Sequence, residues 1–145
     1  MGKRGQVGVT LIEVLVALLV LSVGVLGVTM LQLRALKYTD SAMRSTQVSF
    51  IAHDLLERVR ANPNASYAIA SLNQAPASGN PDVPRDQDLF DFADQLKRAA
   101  GDDVQASVVV AGARVTVNVD WSDARVQGEQ AQQRQTLTLS SAVRP

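Results

Sequence analysis

The chain contains no cysteine, which rules out disulfides and thiolate metal sites and leaves the redox compartment open. Histidine occurs once, as His53 beside Asp54, and neighbouring residues on a helix point about 100° apart, so the two form no catalytic dyad. Net charge is zero and aromatic residues make up 4%, with a single tryptophan, Trp121. No basic stripe or aromatic platform is present, which argues against a nucleic-acid partner. No G-x-S-x-G, H-E-x-x-H or phosphate-binding glycine loop occurs, so the sequence reads as that of a non-enzyme without a cofactor. Asp82, Asp86, Asp88, Asp91 and Asp94 are clustered but lack the D-x-D-x-D-G pattern and terminal Glu of a calcium loop. They read as a solvated helix start, and no metal is expected.

Two further absences organise the chain. Proline is missing until Pro63, and charge is missing from Val14 to Leu33. At about 1.5 Å per residue the uncharged run VLVALLVLSVGVLGVTMLQL covers roughly 30 Å, the depth of a bilayer's hydrocarbon core. It leaves a polar remainder of about 110 residues, enough for one domain with a shallow core. The start, MGKRGQVG, carries Lys3 and Arg4. A secretory signal has a shorter apolar core closed by an A-x-A site, and the segment after Leu33, RALKYTD, supplies none. Glu13, in GVTLIEVLVALLVL, is a carboxylate at the head of an apolar helix. Such a group costs on the order of 2–3 kcal/mol in a membrane, so it marks a function.

The string GVTLIEVLVAL, behind a short basic leader, resembles the class III leader and N-terminal helix of type IV prepilins and of type II secretion pseudopilins. That resemblance implies a leader ending at Gly8, a prepilin peptidase cutting between Gly8 and Val9, and methylation of the new Val9 amine. Val9 stands where the family usually has Phe or Met. Glu13 falls on the family's acidic position, which contacts the amino terminus of a neighbouring subunit during assembly. Physical chemistry agrees with that role. The amine and Glu13 are four residues apart on one helical face, and an unpaired charge in a low-dielectric setting costs far more than a paired one. Only the stagger that joins carboxylate to amine relieves the charge, so the pair sets a register. The resemblance further implies an inner-membrane, single-pass subunit with its head in the periplasm, and a cell-surface pilus after assembly. The implied partners are other major and minor pilins, an inner-membrane assembly platform and membrane lipid.

Beyond the membrane run, Leu36, Met43, Phe50, Ile51, Leu55 and Val59 recur at spacings of three, four and seven. They predict one helix from about Thr10 to Ala61, halted at Asn62-Pro63. Ser22, Gly24 and Gly27 are small residues that admit a close helix neighbour or loosen the helix. Residues 62–87 hold four of the five prolines and read as a long loop with a turn around Tyr67–Leu72. A short helix is expected from Asp88 to Arg98, with Leu89, Phe92, Ala93 and Leu96 as its apolar face and Gly101 as its stop. Alternation at Val104–Val110, Val115–Trp121 and Leu137–Leu139 predicts three strands in an antiparallel meander, the first two joined by Ala111-Gly112-Ala113.

The expected fold is therefore α+β, a long N-terminal helix, transmembrane in its first half, packed on a small antiparallel sheet. Its segments are a leader at 1–8, a transmembrane half-helix at 9–33, an amphipathic half-helix at 34–61, a loop with a short helix at 62–103, and the sheet at 104–145. The run VTVNVDWSD resembles a strand of PilV-type minor pilins and of the minor pseudopilin group, and together with QLRALKYTDSA it favours the PilV type. Many major pilins close a C-terminal loop with a disulfide, which a chain without cysteine cannot form. The function expected is thus a minor pilin supporting twitching motility and adhesion; the alternative is a minor pseudopilin of a type II secretion system.

Overall fold

The computed structural model describes residues 10–122 and 134–143. The expected leader, the Gly8–Val9 cleavage site and the Val9 methylation site lie outside the described residues. Helix α1 runs unbroken over 51 residues, Leu11–Ala61. It ends where proline was expected to end it: the Asn62 amide donates to the Arg58 and Val59 carbonyls at 3.1 and 3.2 Å, one residue before Pro63. The chain divides into two compact units, Met1–Tyr38 and Thr39–Pro145. In the first, every described side chain from Thr10 to Leu36 is exposed. Twenty-odd consecutive exposed residues of this apolar kind are not compatible with water, so lipid or other helices must cover them.

The second unit contains the remainder of α1, a 3₁₀ turn at Leu72–Gln74, helix α2 (Pro84–Ala100), and strands β1 (Gln105–Ala111), β2 (Arg114–Ser122) and β3 (Arg134–Ala142). The strands form one antiparallel sheet in the order β1-β2-β3, the meander expected from the alternation. The β1–β2 connection is two residues long, and Gly112 opens it at φ +60°, the left-handed geometry that a tight hairpin turn requires at that position. Every second residue of β2, from Val115 to Trp121, is buried. Those side chains meet Val48, Ala52, Leu55, Leu56 and Val59 of α1 and Leu89, Phe92, Ala93, Leu96 and Ala100 of α2 in one core. Each fully buried valine, leucine or phenylalanine contributes about 1.5–3 kcal/mol.

Two expectations are corrected. Helix α2 starts at Pro84, four residues before Asp88. Pro84 occupies the first turn, where a missing N–H costs nothing and the fixed φ suits the helix, so this proline opens the helix that it was expected to delay. Its end is as expected: Gly101, at φ +101°, donates its amide to the Lys97 carbonyl at 2.9 Å. The second correction concerns the apolar face of α1. Leu55 and Val59 are core and Ile51 packs against it, but Leu36, Met43 and Phe50 are 66%, 60% and 70% exposed. At about 100° per residue, Met43 and Phe50 fall on the face opposite Val48, Ala52 and Val59. The sequence pattern therefore merged two stripes, one packed inward and one left outside.

Candidate assembly surface on the N-terminal helix

Thr10 caps the start of α1. Its side-chain oxygen accepts from the Glu13 amide at 3.3 Å, and its carbonyl accepts from the Glu13 and Val14 amides at 3.0 and 3.3 Å. This leaves Glu13 in the first turn, exposed, where the positive end of the helix dipole favours a carboxylate. Four residues after Val9, a carboxyl group thus stands at the head of an otherwise uncharged surface that runs to Leu33. Polar hydroxyls within that surface are internally satisfied: Ser22 donates to the Leu18 carbonyl at 2.7 Å and Thr29 to the Val25 carbonyl at 2.9 Å. A Cβ added at Gly24 or Gly27 would meet nothing within 4 Å, so the chain's own packing does not require either glycine. What they do supply is a shallow strip that a neighbouring helix can approach closely.

In the second unit the polar side chains tie the helices together. Arg58 donates to Asp54 at 2.8 Å, to Asp88 at 2.9 Å and to Asp91 at 3.4 Å, joining α1 to the first turns of α2. The Tyr67 hydroxyl donates to Asp88 at 2.7 Å and accepts from the Asn62 amide at 3.3 Å. Those carboxylates hold the Arg58 guanidinium above its ordinary pKa, and burial followed by the bond to Asp88 pushes the Tyr67 phenol up to about 12. Arg44 reaches the Ala100 carbonyl at 3.5 Å, placing a cation at the C-terminus of α2. At the start of β3, Arg134 bonds Asp120, and Ser122 bonds Asp103, which this hydroxyl holds below the usual carboxylate range.

The other candidates resolve as framework. His53 is exposed, and the carboxylate of Asp54 goes to Arg58 rather than to the imidazole. Asp86, Asp88, Asp91 and Asp94 each pair with an arginine, and among the described residues no three acidic or histidine side chains gather as a metal site. Trp121 is 3% exposed and belongs to the core. Sequence reasoning missed Val48, Ala52 and Leu56 as packing residues and the Arg58–Tyr67–Asp88 network entirely. Alternation at i+4 from Val48 was available as a signal for the first; nothing local signals the second.

A helix that carries no charge from Val14 to Leu33 and packs on a small antiparallel sheet through its second half fits a membrane-anchored subunit. Comparison with protein families gives two matches: the prokaryotic N-terminal methylation motif over residues 3–29, and the type IV pilin Tt1218 family over residues 30–82. The two matches together support a pilin-like subunit of the type IV pilin family, a family of structural proteins, with the N-terminal methylation motif at its head. No curated protein and no solved structure matches it.

Proposed function

We propose that this chain is a minor pilin, made as a prepilin, cut between Gly8 and Val9 by a prepilin peptidase, methylated on Val9, and assembled into or priming a type IV pilus. In this reading the subunit waits in the inner membrane as a single-pass protein with its head in the periplasm, and the assembly platform draws it into a filament supporting twitching motility and adhesion. One observation carries the proposal: Glu13, capped by Thr10 at the head of an exposed apolar helix, is the only charge on that surface before Arg34. Neighbouring subunits would replace lipid around Leu11–Leu33, and the new amine of one would neutralise Glu13 of another. Leu36, Met43 and Phe50, seven residues apart, offer an apolar stripe for the same assembly. A minor role is supported by the likeness of VTVNVDWSD to PilV-type strands.

Replacing Glu13 with Val separates assembly from processing. The peptidase reads the residue before the cut, so Glu13→Val is inserted and cleaved normally. It enters sheared filaments poorly, because no carboxylate fixes the register, and its membrane pool serves as the control. Undiminished recovery of Glu13→Val in the sheared fraction would show that the carboxylate is not the docking group.

A further inference from the structure

The uncharged run of α1 ends on two cations that neither the fold nor the assembly contact employs. Arg34 is the first charge after Glu13, Lys37 follows three residues later, and Tyr38 stands one turn beyond Arg34. At about 100° per residue the three share one side of the helix. Arg34 is exposed, Tyr38 is 65% exposed and Lys37 is half-buried. Neither cation has a hydrogen bond or ion pair among the described residues. Every other described arginine, from Arg44 to Arg134, bonds a side chain or carbonyl of this chain.

Insertion does not explain them either. Basic residues favour the cytoplasmic flank of a membrane helix, and Lys3 and Arg4 already stand at the leader end. Arg34 and Lys37 stand at the opposite end and work against that bias. A cut after Gly8 removes Lys3 and Arg4, so these two become the only basic side chains of the Met1–Tyr38 unit. Its one acid, Glu13, lies roughly 31 Å from Arg34 along the helix, too far to neutralise it. The helix also fixes the depth of the pair. With Val14–Leu33 in hydrocarbon, Arg34 to Tyr38 fall within roughly 8 Å of its edge, in the layer of headgroup phosphates. Arginine and lysine stems reach along apolar surface to that layer, and a tyrosine ring rests in it.

Resting on the single-pass reading above, we propose that Arg34 and Lys37, flanked by Tyr38, hold the headgroup of an anionic phospholipid in the leaflet opposite the leader. The guanidinium is a planar fork that donates two parallel bonds to phosphate oxygens, and the ammonium adds a second positive charge one turn away. The phenol supplies one more donor at the same depth. A zwitterionic headgroup carries its own cation beside the phosphate, so two unneutralised positive charges select a lipid of net negative charge. An acidic face on a neighbouring subunit is the competing occupant. Depth decides for the lipid, because a membrane-held subunit meets phosphates at this level whether or not it is assembled.

The test reconstitutes the full-length processed protein in bilayers of phosphatidylcholine and phosphatidylglycerol whose headgroups carry a photoactivatable cross-linker. Mass spectrometry then reads the ratio of the two lipids attached within residues 33–39. Phosphatidylglycerol should be enriched about fivefold or more over its bulk share, the factor that one basic residue confers near an anionic surface. Arg34→Gln with Lys37→Gln should abolish the enrichment and keep the unfolding temperature, while Lys97→Gln, exposed on α2, should leave it intact. Enrichment that survives the double substitution, or parent protein that is inserted but contacts lipid in bulk proportion, overturns the proposal and leaves the pilin reading standing. A cross-link from residues 33–39 to another subunit in place of lipid overturns it equally. Loss of the enrichment in inorganic phosphate, but not in chloride of equal ionic strength, would assign the cations to free phosphate and overturn the lipid. Parent protein that alkaline carbonate strips from the bilayer without detergent would remove the single-pass reading and this proposal together.

Discussion

Val117 lies at the centre of the middle strand, 0% exposed, paired with Val108 on one side and Leu139 on the other. Replacing it with Ala removes two methyl groups, worth about 0.8 kcal/mol each in transfer, and the cavity adds to that, for a total of about 2–3 kcal/mol. For a unit of this size, 1 kcal/mol moves the midpoint by roughly 4–8 °C, so a fall of about 8–24 °C is expected. Val117→Asp buries a charge with no partner, costs several kcal/mol and leaves the unit unfolded. The adjacent Thr116 is half-buried on the opposite face of the sheet, so Thr116→Asp should stay within about 0.5 kcal/mol of the parent. Trp121, the single tryptophan and a core residue at the end of the same strand, reports unfolding by fluorescence in detergent-solubilised full-length protein. Equal midpoints for Thr116→Asp and Val117→Asp would refute the assignment of the core to the Val115–Trp121 face.

Two further outcomes follow from the geometry. The raised pKa of Tyr67, about 12 against 10 in an unfolded chain, means that folding favours the neutral phenol; the associated stability is intact below pH 10 and is lost as pH rises toward 12. Tyr67→Phe should lose about 1 kcal/mol at neutral pH with its bond to Asp88, and its denaturation profile should be flatter than the parent's between pH 10 and 12; parallel profiles would refute this. Phe50→Glu places a charge on the exposed stripe, so it should leave the unfolding midpoint unchanged while lowering recovery in sheared filaments, and full recovery would show that the stripe is not an assembly surface.

Much of this architecture is legible in the sequence because it depends on local rules. The end of α1 follows from Asn62-Pro63, the hairpin from Gly112, and the inward face of β2 from strict alternation between Val115 and Trp121. The parts that were misread depend on what surrounds the residue. Pro84 breaks a helix from within and opens one from its first turn, and composition alone does not say which. Met43, Phe50 and Leu55 share a helical period, yet the sheet covers one face of α1 and leaves the other exposed. The bridge from Ile69 to Val108 and the tie between Arg58, Tyr67 and Asp88 join residues up to 39 positions apart, a distance over which no sequence pattern operates. Glu13 stands out in the sequence because a carboxylate at the head of an apolar run is costly in a membrane, and its role as an assembly contact is a proposal.

The intact mass of the membrane-extracted protein tests the central claim most directly. A pilin subunit should have lost residues 1–8 and begin at Val9, with the added mass of one methyl group if the new amine is modified. A mass that retains Met1, or that corresponds to a cut beyond Leu33, would contradict the account.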